Sequence, residues 1–146
     1  MDISKTEIAK RQLVTACKLY MAGDDYLSVL TLAGAAEEIL GVLLQRSGKT
    51  NSLDDIVALD RRLGGNRSRK QVSDEINLAR NCAKHANNPT EDVVSIASGE
   101  ADAMLARAIA NYVDQTSDIP DEMHAAYMEL QRRHTDPWDG YDGPAV

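Results

Sequence analysis

Residues 80–85 of this chain read RNCAKH and bring four polar side chains, Arg80, Asn81, Lys84 and His85, into one short segment. Histidine titrates near neutral pH, so it can accept or donate a proton. Arginine stays charged and can bind two oxygens of an anion at once. The segment is therefore either a group of functional residues or the solvated face of a helix that carries a histidine.

The segment lies near the end of an amphipathic helix that the sequence predicts over about residues 70–87. At about 100° per residue one face of this helix is apolar, with Val72, Ile76, Ala79, Ala83 and Ala86. The opposite face carries, in angular order, Arg80, Lys84, Asn77, Asn88, Asn81 and His85. Such faces are usually just solvated, but this one has three asparagines, which are weak helix formers, and no acid after Glu75. The composition of the face favours a functional role.

Five other helices are predicted from apolar periodicity and from start and stop signals, the first of them beginning at a capping-box pattern, Ser4-x-x-Glu7. The predicted bounds of all six are about residues 4–20, 25–47, 52–63, 70–87, 99–115 and from 120 onwards. We therefore predict an all-α bundle of about five to six helices. It forms a single domain over residues 1–134, followed by a flexible acidic tail over residues 135–146.

The composition is that of an ordinary globular chain, with 43% hydrophobic and 27% charged residues in a length of 146. The net charge of −7 argues at first against a nucleic-acid partner, but residues 114–146 hold eight acids against two arginines, so the first 113 residues are nearly neutral. No run approaches the roughly 18 apolar residues of a membrane span, and the start lacks the order of a signal peptide. Cys17 and Cys82 have no disulfide or zinc spacing. We expect a cytoplasmic protein without a membrane partner.

A local basic segment, RRLGGNRSRK at residues 61–70, carries five positive charges and no acid. Its basic residues are Arg61, Arg62, Arg67, Arg69 and Lys70. Phosphate contacts supply most non-specific affinity for RNA, so these side chains are candidates for RNA binding. A run of this kind is more often a solvated, flexible connection, and Gly64 and Gly65 favour that interpretation.

The pattern Arg80-Asn81-x-x-x-His85 resembles the signature of the HEPN superfamily (higher eukaryotes and prokaryotes nucleotide-binding), in which an Arg, often followed by Asn, precedes a His by four to six residues. The context is similar too, since the pattern lies near the end of a helix, between two long Ala- and Leu-rich helices. The resemblance covers about residues 5–115. It implies a helical bundle that forms a homodimer, and a metal-independent RNA endonuclease of the kind found among toxins and defence effectors.

The resemblance implies that Arg80 and His85 are catalytic and that Asn81 supports them, with Lys84 as a further supporting residue. RNA would be cleaved by its own 2′-hydroxyl, with a histidine transferring protons and the arginine stabilising the phosphorane. One histidine does not easily make both proton transfers, and a two-fold dimer would supply a second. The tyrosine that is AMPylated in one HEPN toxin branch is replaced here by Asn87, so neutralisation by that route is in doubt and the antitoxin or associated protein is unknown.

Glu37 falls at the edge of the apolar stripe of the second helix, where an unpaired carboxylate would be costly to bury. We expect it to pair with Arg80 or to hold His85 in one tautomer. The alternative is that its side chain extends past the edge of the stripe into water.

Metal chemistry is not indicated, because Asp121-x-x-His124 is only half of a helical carboxylate–histidine site and no second half accompanies it. We therefore expect neither a metal nor a cofactor. Three interpretations remain open: a HEPN-type ribonuclease, a non-catalytic HEPN-like module for dimerisation or for nucleotide or RNA binding, and an unrelated bundle in which the motif is a chance match.

Overall fold

The computed structural model describes residues 1–135, and within that range the secondary structure is entirely helical, which confirms the predicted all-α class. The helices are α1 (Lys5–Met21), α2 (Tyr26–Arg46), α3 (Ser52–Arg62), α4 (Arg69–Ile76), α5 (Leu78–Lys84), α6 (Ser98–Thr116) and α7 (Asp121–Thr135). A 3₁₀ turn covers Pro89–Glu91. The predicted acidic tail falls, apart from its first residue, outside the described residues.

Side-chain oxygens set the starts of several helices, because the first backbone N–H groups of a helix have no partner inside it. The Ser4 hydroxyl accepts from the Glu7 N–H at 3.0 Å, which is one half of the expected capping box. Asn51 and Asp54 form a complete capping box at the start of α3. Ser68 and Gln71 form another at α4, and this fixes the end of the basic segment.

The core lies between α2 and the two helices that pack on it, α1 and α6, with α7 closing the far side of α1. Small side chains such as Ala9, Ala33 and Ala108 are fully buried at these contacts and let the helix axes approach closely. Leucines and methionines, including Leu13, Leu40 and Met104, fill the space between them. α2 is the central helix of the bundle.

α2 is long and apolar enough to cross a membrane by length and composition alone. Glu37 and Glu38 interrupt it, so it contains no continuous run of about 18 apolar residues. Half of its most apolar 18-residue stretch is buried inside the bundle, and core helices of globular proteins have the same composition.

The predicted helix over residues 70–87 is wrong as a single element, since it is two short helices joined at Asn77 and ends at Lys84. Asn77 has φ −106° and ψ 3°, outside the helical range, and His85 is extended at φ −118° and ψ 137°. A weak helix former stands at the break, and two asparagines and a proline follow the end, so local propensity does little to prolong the helix. Asn81 and His85, which were placed next to each other on the polar face, therefore do not lie on one helix.

The break leaves Val72 of α4 buried as predicted but changes which residues of α5 face the bundle. Val72 is fully buried, as expected, but Ala83 is exposed and Arg80, which was placed on the outer face, turns inward against α2. Two short helices with different axes do not share one face, so a single helical projection fails beyond Asn77.

A buried amide on α6 fastens α2 and α3 to the core. Asn111 is fully buried, and its Oδ1 accepts from the Ser52 N–H at 2.8 Å while its Nδ2 donates to the Glu37 carbonyl at 3.3 Å. Ser52 is the first residue of α3, so one side chain joins three helices.

Replacing Asn111 by Leu, which keeps the approximate volume, should lower the free energy of unfolding by about 2–3 kcal/mol, because buried donors and acceptors lose their partner. Urea denaturation would measure the change. The exposed Asn87→Ala variant is the control and should change stability by less than about 0.5 kcal/mol. Equal effects of the two variants would contradict a structural role for the Asn111 amide.

Candidate functional site

Arg80 is the best-placed of the predicted site residues. Its side chain is only 11% exposed. Its Nη1 lies 3.5 Å from Glu37 Oε2 and its Nη2 lies 3.5 Å from Asn81 Oδ1. The expected Glu37–Arg80 ion pair is thus present, and Asn81 contacts the same guanidinium group. The Nε of Arg80 is buried without a hydrogen-bond partner in the described chain, so the group retains unused donor capacity.

A glycine on α2 makes room for this arginine. A Cβ built on Gly34 would lie 2.6 Å from Cδ and 2.9 Å from Cγ of Arg80, closer than two such atoms can approach. The aliphatic part of Arg80 therefore lies directly on the backbone of α2. Gly34 and Glu37 are three residues apart on the same face of the helix, so the position that receives the side chain stands beside the one that pairs with its charge.

Arg107 on α6 is a second arginine at the site. Its Nη1 donates to the Ile76 carbonyl at 3.2 Å and its Nη2 to Asn77 Oδ1 at 3.0 Å, so it binds the last residue of α4 and the joint residue that follows it. A cation at the carboxyl end of α4 also interacts favourably with the helix dipole. Burial lowers the pKa of Arg107, with the nearby Glu37 carboxylate acting in the opposite direction.

Glu37 carries a negative charge between these two arginines. Burial raises the pKa of its carboxyl group above the ordinary value, and the guanidinium groups of Arg107 and then Arg80 only partly offset this effect. The alternative that Glu37 extends into water is wrong, since its side chain is only 9% exposed. The cost of removing the carboxylate from water exceeds the attraction of its partners, as is common for buried ion pairs.

A cleft of about 290 Å³ opens beside this group, between α2, α3 and α4. Glu37, Asn77 and Arg80 line one side of it, and Arg69 and Leu53 line the other. Gly41 lies at its base, where the Asn51 Nδ2 donates to the Gly41 carbonyl at 3.1 Å. The cleft is polar and open to solvent, and two arginines line it: Arg69, which pairs with Asp54, and Arg80, which could bind an anion.

His85 lies just beyond α5 and does not line this cleft. The residue is exposed, and its ring makes no hydrogen bond or ion pair with any residue of the described chain. Lys84, 47% exposed, has its Nζ 3.7 Å from Glu38 Oε2. The structure therefore brings Arg80, Asn81 and Glu37 into contact, and leaves His85 at the surface nearby in sequence.

The basic segment is largely neutralised by acids of α3 and α4. Arg61 and Arg67 both pair with Asp60, and Arg67 also pairs with Glu75. Arg69 pairs with Asp54 and Lys70 with Asp74. Of the five, only Arg62 has no ion pair within residues 1–135. RNA contact by this segment stays a prediction, but its charge is less available than the sequence alone indicated.

Four residues of the site were not singled out from the sequence: Gly34, Glu38, Arg107 and Asn111. The spacing of Gly34 and Gly41, seven residues apart on a helix with two acids between them, is a signal that could have indicated a close approach. Arg107 and Asn111 are polar residues four apart beside the apolar stripe of α6, and such positions need partners when buried. Among residues 1–135 no three metal-ligating side chains converge.

Comparison of the chain with protein-family models, with curated proteins and with solved structures finds no match.

Replacing Gly34 by Ala should destabilise the protein by about 1–3 kcal/mol, because the added methyl group displaces the buried Arg80 side chain. In an Arg80→Ala background the same change should stabilise it by about 0.5–1 kcal/mol, since alanine is the better helix former and the obstruction is gone. Thermal or urea denaturation of all four proteins measures this reversal of sign.

The control is Gly99→Ala on α6, where an added Cβ meets nothing within 4 Å. Its effect should be the same in both backgrounds. If Gly34→Ala also acted equally in both, the close contact with Arg80 would not determine the role of that glycine.

As the pH rises above 4.5, the ordinary pKa of a glutamate, the stability of Glu37→Gln relative to the wild type should increase progressively. The folded pKa of Glu37 is raised, so the unfolded chain loses this proton at lower pH than the folded chain does. The contribution of Glu37 to stability is therefore complete below its unfolded pKa and is lost as the pH rises through the folded pKa. Urea denaturation of both proteins across that range provides the measurement.

Glu38→Gln is the matched control, because it removes a carboxylate that is close to the same arginine but 55% exposed. The free energy of unfolding of Glu37→Gln relative to the wild type could stay constant with pH or change in the opposite direction. Either result would show that burial does not dominate the energetics of Glu37.

Proposed function

We propose that this protein is a metal-independent endoribonuclease of the HEPN type, acting as a homodimer, with Arg80 and His85 as its catalytic residues. The observation that carries the proposal is the placement of Arg80 in a polar cleft, packed on Gly34 and paired with Glu37, five residues before an exposed histidine. A helical bundle with the Arg-Asn-x-x-x-His pattern is the arrangement that the HEPN resemblance implies.

The proposed reaction is a transesterification within RNA. The 2′-oxygen forms a bond to phosphorus while its proton passes to a histidine, and the bond from phosphorus to the 5′-oxygen breaks as that oxygen receives a proton. The products are a 2′,3′-cyclic phosphate and a 5′-hydroxyl. Arg80 would stabilise the extra negative charge of the phosphorane, since its guanidinium can hold two phosphate oxygens.

The exposed position of His85 is compatible with a site completed by a second copy of the chain. A proton acceptor and a proton donor are both needed, and each subunit of a two-fold dimer would contribute one His85. The ring has no partner in the described chain, so it can reach a substrate or a facing subunit.

A non-catalytic binding module is the second candidate, and the charges around Arg80 favour it. Glu37 and Glu38 lie within 4 Å of the Arg80 guanidinium, and Glu38 also pairs with Lys84. The negative charges of the two glutamates therefore offset the positive charges of Arg80 and Lys84. His85 lies outside the cleft. Such a site would bind a ligand without the proton transfers that cleavage requires.

Purified protein should cleave total RNA in the presence of EDTA, giving fragments that end in 2′,3′-cyclic phosphate. Arg80→Ala and His85→Ala should each lower the rate by about 100-fold or more, the usual size of a lost acid–base or electrostatic contribution. Gel analysis of the fragments and end-group mapping give the rate and the chemistry.

His124→Ala is the control, because His124 is an exposed histidine on α7 away from the site. It should cleave as the wild type does. Expression in cells adds a second readout, since a ribonuclease toxin should arrest growth and His85→Ala should relieve the arrest. RNA left intact by a folded dimer would reject the nuclease and support the binding module.

A further inference from the structure

Glu38 stands between two adjacent hollows of the surface. On one side it lines the cleft that contains Arg80. On the other it lines a second hollow of about 420 Å³, which is mostly apolar and is also lined by three basic residues, Lys5, Arg46 and Lys84. Among the described residues Glu38 is the one acid that lines this second hollow, and the three bases that line it come from α1, α2 and α5.

The ion pairs of Glu38 are loose and exposed. Its Oε2 lies 3.9 Å from Arg80 Nη1 and 3.7 Å from Lys84 Nζ, and its side chain is 55% exposed. Pairs of this kind contribute little to stability, because solvent screens the charges and both side chains lose conformational freedom. Moving Glu38 away from the two bases therefore costs little.

Its neighbour Glu37 behaves differently for a geometric reason. Successive residues on a helix point about 100° apart, so Glu37 faces the buried interface while Glu38 stands at the rim. Glu37 is enclosed by Arg80 and Arg107 and serves as a fixed counter-ion. If Glu38 alone moved, Arg80 and Lys84 would offer two cations to another anion, with Lys5 and Arg46 next to them.

We propose that the shared edge of the two hollows, where Glu38 lies between Arg80 and Lys84, is a binding site for phosphate oxyanions, and that Glu38 is a resident carboxylate that competes with them. The ligand class is a polyphosphate or a phosphodiester chain, since Lys5 and Arg46 line the adjacent hollow and could contact a second phosphate. The site shares Arg80 with the proposed ribonuclease but does not require that any bond be cleaved.

The test is titration of the full chain with inorganic pyrophosphate at low ionic strength, followed by isothermal calorimetry or by ³¹P NMR. Glu38→Gln should bind about two- to five-fold more tightly than the wild type, the gain that corresponds to removing one surface ion pair. Lys84→Met should weaken binding, and the double variant Glu38→Gln/Lys84→Met should lose the gain. Each changed side chain is exposed, so circular dichroism should show an unchanged fold.

Glu7→Gln is the matched control, because it removes one negative charge from an exposed pair, with Arg11, on α1. It should leave pyrophosphate affinity within about 1.5-fold of the wild type, as expected for a charge outside the site. An equal gain in pyrophosphate affinity in Glu7→Gln and Glu38→Gln would overturn the proposal, since net charge would then explain it. No gain in Glu38→Gln would overturn it too, since this carboxylate would then not compete with the ligand.

A short single-stranded RNA, titrated into the same variants, distinguishes the two sources of phosphate. A Glu38→Gln gain for both ligands indicates a site for nucleic-acid backbone, and a gain for pyrophosphate alone indicates a site for free polyphosphates. Failure of RNA cleavage with the Glu38 effect intact rejects the ribonuclease and keeps this site. Cleavage of RNA with no effect of Glu38→Gln on pyrophosphate affinity supports the ribonuclease and rejects this site.

Discussion

The burial of one carboxylate in an apolar helix interface is the constraint on which this structure depends. Glu37 lies within the most apolar helix of the chain, where its charge loses most of its contact with water. A buried charge must be compensated by partners of opposite sign. The bundle provides Arg80 from α5 and Arg107 from α6, so this one carboxylate interacts with side chains from two further helices.

The position of the break between α4 and α5 follows from the same group. Arg107 interacts electrostatically with Glu37, and it donates to the Ile76 carbonyl and to Asn77 Oδ1, the last carbonyl of α4 and the joint that follows it. The break changes the direction of the chain, which turns Arg80 inward onto Gly34 and leaves His85 outside the helix. The candidate catalytic residues are thus placed by contacts to α2 and α6 and not by the periodicity of their own helix.

Two adjacent glutamates give the site both rigidity and adjustability. Glu37 is buried, and its two arginines stabilise the arrangement in which Arg80 is held. Glu38 is exposed, and its pairs with Arg80 and Lys84 are weak enough for another anion to replace them. Both the ribonuclease and the binding module need an arginine held in place at a cleft, and the pairing of Arg80 with Glu37 in the cleft wall meets that need.

The sequence by itself determined the class of the fold, most helix bounds and the residues worth examining. Apolar periodicity and caps such as Ser4 and Asn51 are local signals, and they act within a few residues of the feature that they predict. The expectation that Glu37 pairs with Arg80 also came from the sequence, because a carboxylate at the edge of an apolar stripe requires a cation.

Only the tertiary structure decided the break at Asn77, the inward turn of Arg80 and the roles of Arg107 and Asn111. These depend on contacts between residues about 30 to 75 positions apart, which no pattern within one helix contains. The same holds for the basic segment, whose charges are neutralised largely by acids on the flanking helices α3 and α4. Local propensity sets where helices can form, and the satisfaction of buried charges and amides sets how they meet.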